Sequence, residues 1–153
     1  MSIYLVQHGK SLPKEKDPEK GLSEEGIAKT ERIASVAGGY HVHVTRIIHS
    51  GKKRARQTAE IMASALQPIE GVHEGEGLAP MDDIVSVADA LDGKSNHMLV
   101  GHLPFMSRLA SHLITGSIEL PVFKFQNSGI LCLDENPESN SWIIRWSLMP
   151  DIS

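Results

Sequence analysis

Ile3-Tyr4-Leu5-Val6-Gln7-His8-Gly9 passes from a β-branched, apolar run into polar residues and a glycine. A short apolar run closed in this way reads as a buried strand. Two later segments repeat the pattern: Arg46-Ile47-Ile48-His49 ends at Ser50, and His97-Met98-Leu99-Val100 is closed by Gly101-His102. Helices are expected between and after them. The first is capped by Ser23, with Glu24 and Glu25 at its positive end. Ile27, Thr30, Ala34 and Ala37 form its inner face, and Gly38-Gly39 ends it. Ser50 is expected to cap a second helix whose stripe is Ala55, Ala59, Met62 and Leu66, stopped by Pro68. A third is predicted from Asp82-Asp83 to Gly93, with Ile84, Val87, Ala88 and Leu91 inward. A fourth follows Pro104 with Met106, Leu109, Ala110, Leu113 and Ile114 inward, and ends at Gly116. Such alternation implies right-handed parallel crossovers. Gly129–Asp134 and Trp142–Leu148, joined by a short turn, instead read as an antiparallel pair. The expected fold is an α/β, three-layer α/β/α sandwich in one domain over residues 1–153. Its sheet is mainly parallel, with an antiparallel C-terminal edge.

Composition narrows the function classes. With 41% hydrophobic and 22% charged residues, the chain reads as globular and soluble. Its longest apolar runs are too short to span a bilayer, and the first residues lack the basic and apolar regions of a secretory leader. One cysteine, Cys132 in Ile130-Leu131-Cys132-Leu133, excludes an internal disulfide or a CxxC pair and reads as a buried thiol. These features point to the cytoplasm. A net charge of -4 without a basic tract disfavours extended nucleic-acid binding. A small anionic substrate needs only a few local cations.

The polar residues after the three strands converge in an open α/β sheet, because ligands sit outside the carboxyl ends of the strands. Gln7-His8-Gly9, Ser50 with Arg54, and Gly101-His102 are therefore expected to share one crevice. Their chemistry is coherent. A neutral imidazole attacks phosphorus, a second imidazole donates to phosphoryl oxygens, and a guanidinium fork matches those oxygens. Phosphoryl transfer asks mainly for positioning and charge stabilisation, so sufficient fixed cations make a metal or other cofactor unnecessary. His41 and His43 alternate on an extended segment, but no Cys/His/Asp set with metal-site spacing accompanies them, and they read as exposed. His49, His73, His97 and His112 read as structural or surface residues, and Trp142 and Trp146 as packing.

Three blocks in order carry a family resemblance. Leu5-Val6-Gln7-His8-Gly9 resembles the Arg-His-Gly signature of the histidine phosphatase superfamily, the phosphoglycerate-mutase-like proteins, with its first residue changed. The stretch Ser50-Gly51-Lys52-Lys53-Arg54-Ala55-Arg56-Gln57-Thr58-Ala59 is similar to that family's second block, and Val100-Gly101-His102-Leu103-Pro104 to the block with the second histidine. The likeness continues through Asn127-Ser128-Gly129 and covers nearly the whole chain. Size and the Gly-His-Leu-Pro form look closest to the SixA-type phosphohistidine phosphatases. The resemblance implies His8 as nucleophile, Arg54 gripping the phosphoryl oxygens and His102 stabilising the transferring group. Gln7, Gly9, Lys20 and Ser128 are carried over as further phosphate contacts. It implies a metal-independent phosphohydrolase acting on a phosphorylated protein or a small phosphate substrate.

Gln7 stands where the family has an arginine. Losing one charge-assisted hydrogen bond slows turnover roughly 10- to 150-fold, so a non-catalytic phosphate or phosphoprotein sensor is an alternative beside a small-ester phosphatase. Lys10, Lys20 or Lys52 would restore part of the field, though lysine does not replace the arginine fork. The acidic stretch Glu74–Asp83, with Glu76 and Asp82, does not match the general-acid motif of larger relatives. Phosphohistidine needs no strong acid, because imidazole leaves more easily than an alkoxide. Attack requires neutral His8, so activity should fall as pH drops well below about 6.5.

Overall fold

A computed structural model describes residues 1–152. Six strands form one sheet in the order β3-β2-β4-β1-β5-β6. The strands are β1 (Ser2–Gln7), β2 (Arg46–His49), β3 (Val72–Glu74), β4 (His97–Gly101), β5 (Ile130–Asn136) and β6 (Ser141–Leu148). The four from β3 to β1 run parallel, while β5 and β6 are antiparallel. Helices α1 (Glu24–Gly39) and α2 (Lys53–Leu66) cover one face, and α3 (Val85–Ala90) and α4 (Phe105–Thr115) lie on the other. The α/β fold expected from the strand and helix alternation is the one observed.

The period of two along β1 sorts its side chains between the layers. Ile3 and Leu5 join Leu99, Leu109 and Leu131, while Tyr4 and Val6 join Ile33, Ala59 and Met98. Each fully buried aliphatic side chain contributes about 1.5–3 kcal/mol. Cys132 is buried in the second of these layers. Among the described residues, no helix is long and apolar enough to cross a membrane.

Ser23 caps α1 as expected, its hydroxyl accepting from Gly26 N at 3.0 Å. The α1 face is rotated slightly: Ile33 is buried, while Ile27 is only partly so. α3 is much shorter than the predicted Asp82–Gly93 helix. Ile84 is its N-cap and Asp82 instead closes a turn by accepting from Ala79 N. Gln67, in a left-handed conformation (φ 47°), ends α2 one residue before Pro68. β3 was not predicted. It is a three-residue edge strand paired only with β2, and its residues are half-buried or exposed, so it carries no apolar signature.

The hairpin of β5 and β6 carries an irregularity. Cys132 faces Trp146 and Leu133 faces Ile144, which leaves Arg145 without an opposite residue. That is the arrangement of a β-bulge.

Candidate active site

The carboxyl ends of β1, β2 and β4 lie side by side, with Gln7 opposite Gly101 and His49 opposite Val100. The chain leaves each of these strands carrying a polar side chain. The His8 and His102 rings come together with centroids 4.9 Å apart and planes tilted by 52°.

The turn after β1 is held from three sides. His8 N donates to Gly101 O (3.0 Å), and Asn127 Nδ2 donates to His8 O (2.9 Å). Gly9 N donates to Thr58 Oγ1 (2.9 Å), and that hydroxyl donates to Arg54 O (2.8 Å). The first turn of α2, which carries Arg54, is thereby tied to the residue after His8. Close approach here depends on glycine. A Cβ on Gly9 would lie 2.8 Å from Thr30 Oγ1, and one on Gly26 only 2.2 Å from Lys10 O.

His8 Nδ1 donates to Gly9 O at 2.6 Å. That bond fixes the proton of a neutral ring on Nδ1 and leaves the Nε2 lone pair available. Burial, followed by the charges of Arg54 and Lys20, lowers the His8 pKa to about 4. His102 is lowered further, to about 3, by burial first and then by His8, Arg54 and Lys52. Both rings are therefore neutral at pH 7. Burial shifts both titrations downward, away from the ordinary histidine value of about 6.5. In a proton-NMR titration the His8 ring should show a midpoint near pH 4. A midpoint at about 6.5 would contradict the buried, cation-flanked setting.

Lys20, Lys52 and Arg54 supply the positive field. Lys20 has a left-handed backbone (φ 53°), uncommon for a non-glycine residue. Asp17 organises its loop, accepting from Gly21 N, Glu19 N and Lys53 Nζ. These contacts, the Lys53 pairing above all, hold the Asp17 carboxyl well below the usual range. Lys10 instead pairs with Glu25 at 2.7 Å. Among the described residues, neither imidazole hydrogen-bonds a carboxylate, and no cluster of three His, Cys, Asp or Glu side chains suits a metal ion.

Two sequence expectations change. Ser50 does not cap α2, whose N-cap is Lys52 without a side-chain bond. Its Oγ lies 2.6 Å from His102 Nε2 instead. Ser128 does not offer its hydroxyl to the crevice. Thr30 Oγ1 donates to Gly26 O, so Ser128 donates to Thr30 Oγ1 at 2.7 Å and is 1% exposed. Ser128 acts through its backbone, donating to Gln7 O at 2.9 Å. The Gly9 amide is likewise engaged, by Thr58. Gln7 is half-buried, and its Oε1 is buried without a hydrogen-bond partner among the described residues. Sequence reasoning missed the supporting contacts of Asp17, Thr30, Thr58 and Asn127. Of these, only the Gln57-Thr58 pair and Asn127 lay within motifs already noted.

A profile of the histidine phosphatase superfamily (branch 1) matches residues 3–82. Phosphohistidine phosphatase SixA of Escherichia coli (strain K12) is 24% identical over 156 aligned positions, covering 98% of this chain and 94% of that protein. A solved structure of the protein histidine phosphatase SixA complexed with tungstate superposes with a TM-score of 0.83 at 25% identity, covering 98% and 97% of the two chains. A putative phosphohistidine phosphatase SixA from Agrobacterium tumefaciens superposes with a TM-score of 0.76 at 27% identity, covering 97% of each.

Proposed function

Since this chain belongs to the histidine phosphatase superfamily and is a phosphatase of that fold, we propose that it hydrolyses protein-bound phosphohistidine through a phosphoryl intermediate on His8. The observation that carries the reading is the His8 ring itself. Its Nδ1 is tied to the Gly9 carbonyl, its Nε2 lone pair is available, and the second imidazole and Arg54 stand beside it.

His8 Nε2 attacks phosphorus, and the bond from phosphorus to the substrate nitrogen breaks. The electron pair goes to the departing imidazole, which takes a proton from water. Arg54, Lys20 and the Gln7 amide hold the phosphoryl oxygens, while His102 stabilises the transferring group. A second water then attacks phosphorus, releasing inorganic phosphate and regenerating neutral His8. Fixed donors and cations that do not reorganise during the reaction suit this transfer.

Two features favour phosphohistidine over an alkyl ester. Among the described residues no carboxylate hydrogen-bonds either imidazole, and Asp82 is engaged in a turn with Ala79 N. An imidazole leaving group needs little help from an acid. SixA relatives named for phosphohistidine support the same substrate.

The test is phosphate release from a phosphohistidine protein, compared with sugar phosphates and an alkyl phosphate ester. The phosphohistidine protein should be strongly preferred, and preference for an ester would replace this reading with that of a small-molecule phosphatase. Gln7→Arg should raise turnover about tenfold by adding a charge-assisted bond. Unchanged turnover would show that the amide already serves the pocket fully.

A further inference from the structure

Ser50, hydrogen-bonded to His102, has no part in the steps above. His102 is 1% exposed and its Nδ1 is buried with no hydrogen-bond partner among the described residues, whereas its Nε2 lies 2.6 Å from Ser50 Oγ. A neutral imidazole carries one proton. If Nδ1 held it, a buried N–H would be orphaned, which proteins tolerate less readily than an unpaired acceptor. If Nε2 holds it, Nε2 donates to Ser50 Oγ. Lys52 N also points to that oxygen, at 3.4 Å. The two lone pairs of the hydroxyl are then both directed at donors, and its own proton is free. Ser50 follows β2 directly, beside the β4 end that carries His102, and is half-buried.

We propose that Ser50 is a phosphoryl-binding residue: His102 Nε2–H donates to Ser50 Oγ, and the Ser50 hydroxyl donates to an oxygen of the bound phosphoryl group. His102 then acts on the phosphoryl group through Ser50, and its neutral ring sets the direction of the hydroxyl. This rests on the phosphatase reading for its ligand, but the tautomer of His102 does not depend on turnover. The depressed His102 pKa keeps the relay in one protonation state across the neutral range.

The experiment combines nitrogen-15 NMR of His102 at pH 7 with orthovanadate titration of the wild type, Ser50→Ala and Ser50→Thr. Wild-type His102 should carry its proton on Nε2. Ser50→Ala should bind orthovanadate about tenfold more weakly, the loss of one hydrogen bond. Ser50→Thr keeps the hydroxyl and should restore binding. A proton on Nδ1, equal orthovanadate affinity in wild type and Ser50→Ala, or no orthovanadate binding by the wild type would each overturn the assignment. If Ser50 governs orthovanadate binding while the wild type releases no phosphate from phosphohistidine, the substrate reading fails and the Ser50 assignment stands.

Discussion

Replacing His8 with alanine should reduce phosphate release by about 10³-fold or more, because the nucleophile is lost rather than weakened. The substitution is also a clean one. Among the described residues the side chain makes a single hydrogen bond, to the carbonyl of its own neighbour. Gly101 O and Asn127 Nδ2 hold the His8 backbone, and those bonds survive the change. The His8→Ala protein should therefore melt close to the wild type and still bind orthovanadate through Arg54 and the surrounding donors. Rapid quenching after a labelled phosphohistidine protein is added should trap a base-stable, acid-labile phosphoenzyme in the wild type and none in the variant. Equal turnover in both proteins would remove His8 from the mechanism.

The second large effect is expected at Arg54. Removing a preorganised donor that meets developing charge costs about 10²- to 10³-fold in kcat, and Arg54→Ala should fall in that range. Arg54→Lys should recover only part of the loss, since an ammonium keeps the charge but not the planar fork. The Thr58 hydroxyl bonds the Arg54 carbonyl, not its side chain, so the tie to Gly9 remains in both variants. Steady-state kinetics with the phosphohistidine protein measures this directly. A loss confined to KM would make Arg54 a uniform binder of substrate with no preference for the transition state.

Much of the architecture was legible because β1 and β4 are buried, β2 is half-buried, and all three carry apolar runs closed by polar residues. Ser23 was readable as a cap because its partner, Gly26 N, is local. Ser50 was not, since its partner His102 lies 52 positions away and competes with the local amide. Ser128 was misread for the same reason, its hydroxyl being taken by Thr30 across 98 positions. β3 escaped because a short edge strand buries too little to shape its composition. The convergence of His8 with His102 followed from strand order, whereas the ties that hold their turns, through Thr58 and Asn127, depend on side-chain packing that no periodicity encodes.

Arg145, the unmatched residue of the last hairpin, has an effect on the neighbours that flank it. Trp142 and Trp146 are four positions apart, a spacing that would aim both indoles the same way along an uninterrupted strand. The extra residue reverses that parity: Trp142 packs into the layer containing α4, and Trp146 packs beside Tyr4 in the layer containing α1. The two indoles thus sit as separate optical probes, one in each half of the sandwich, and single-tryptophan variants would show whether both halves melt together.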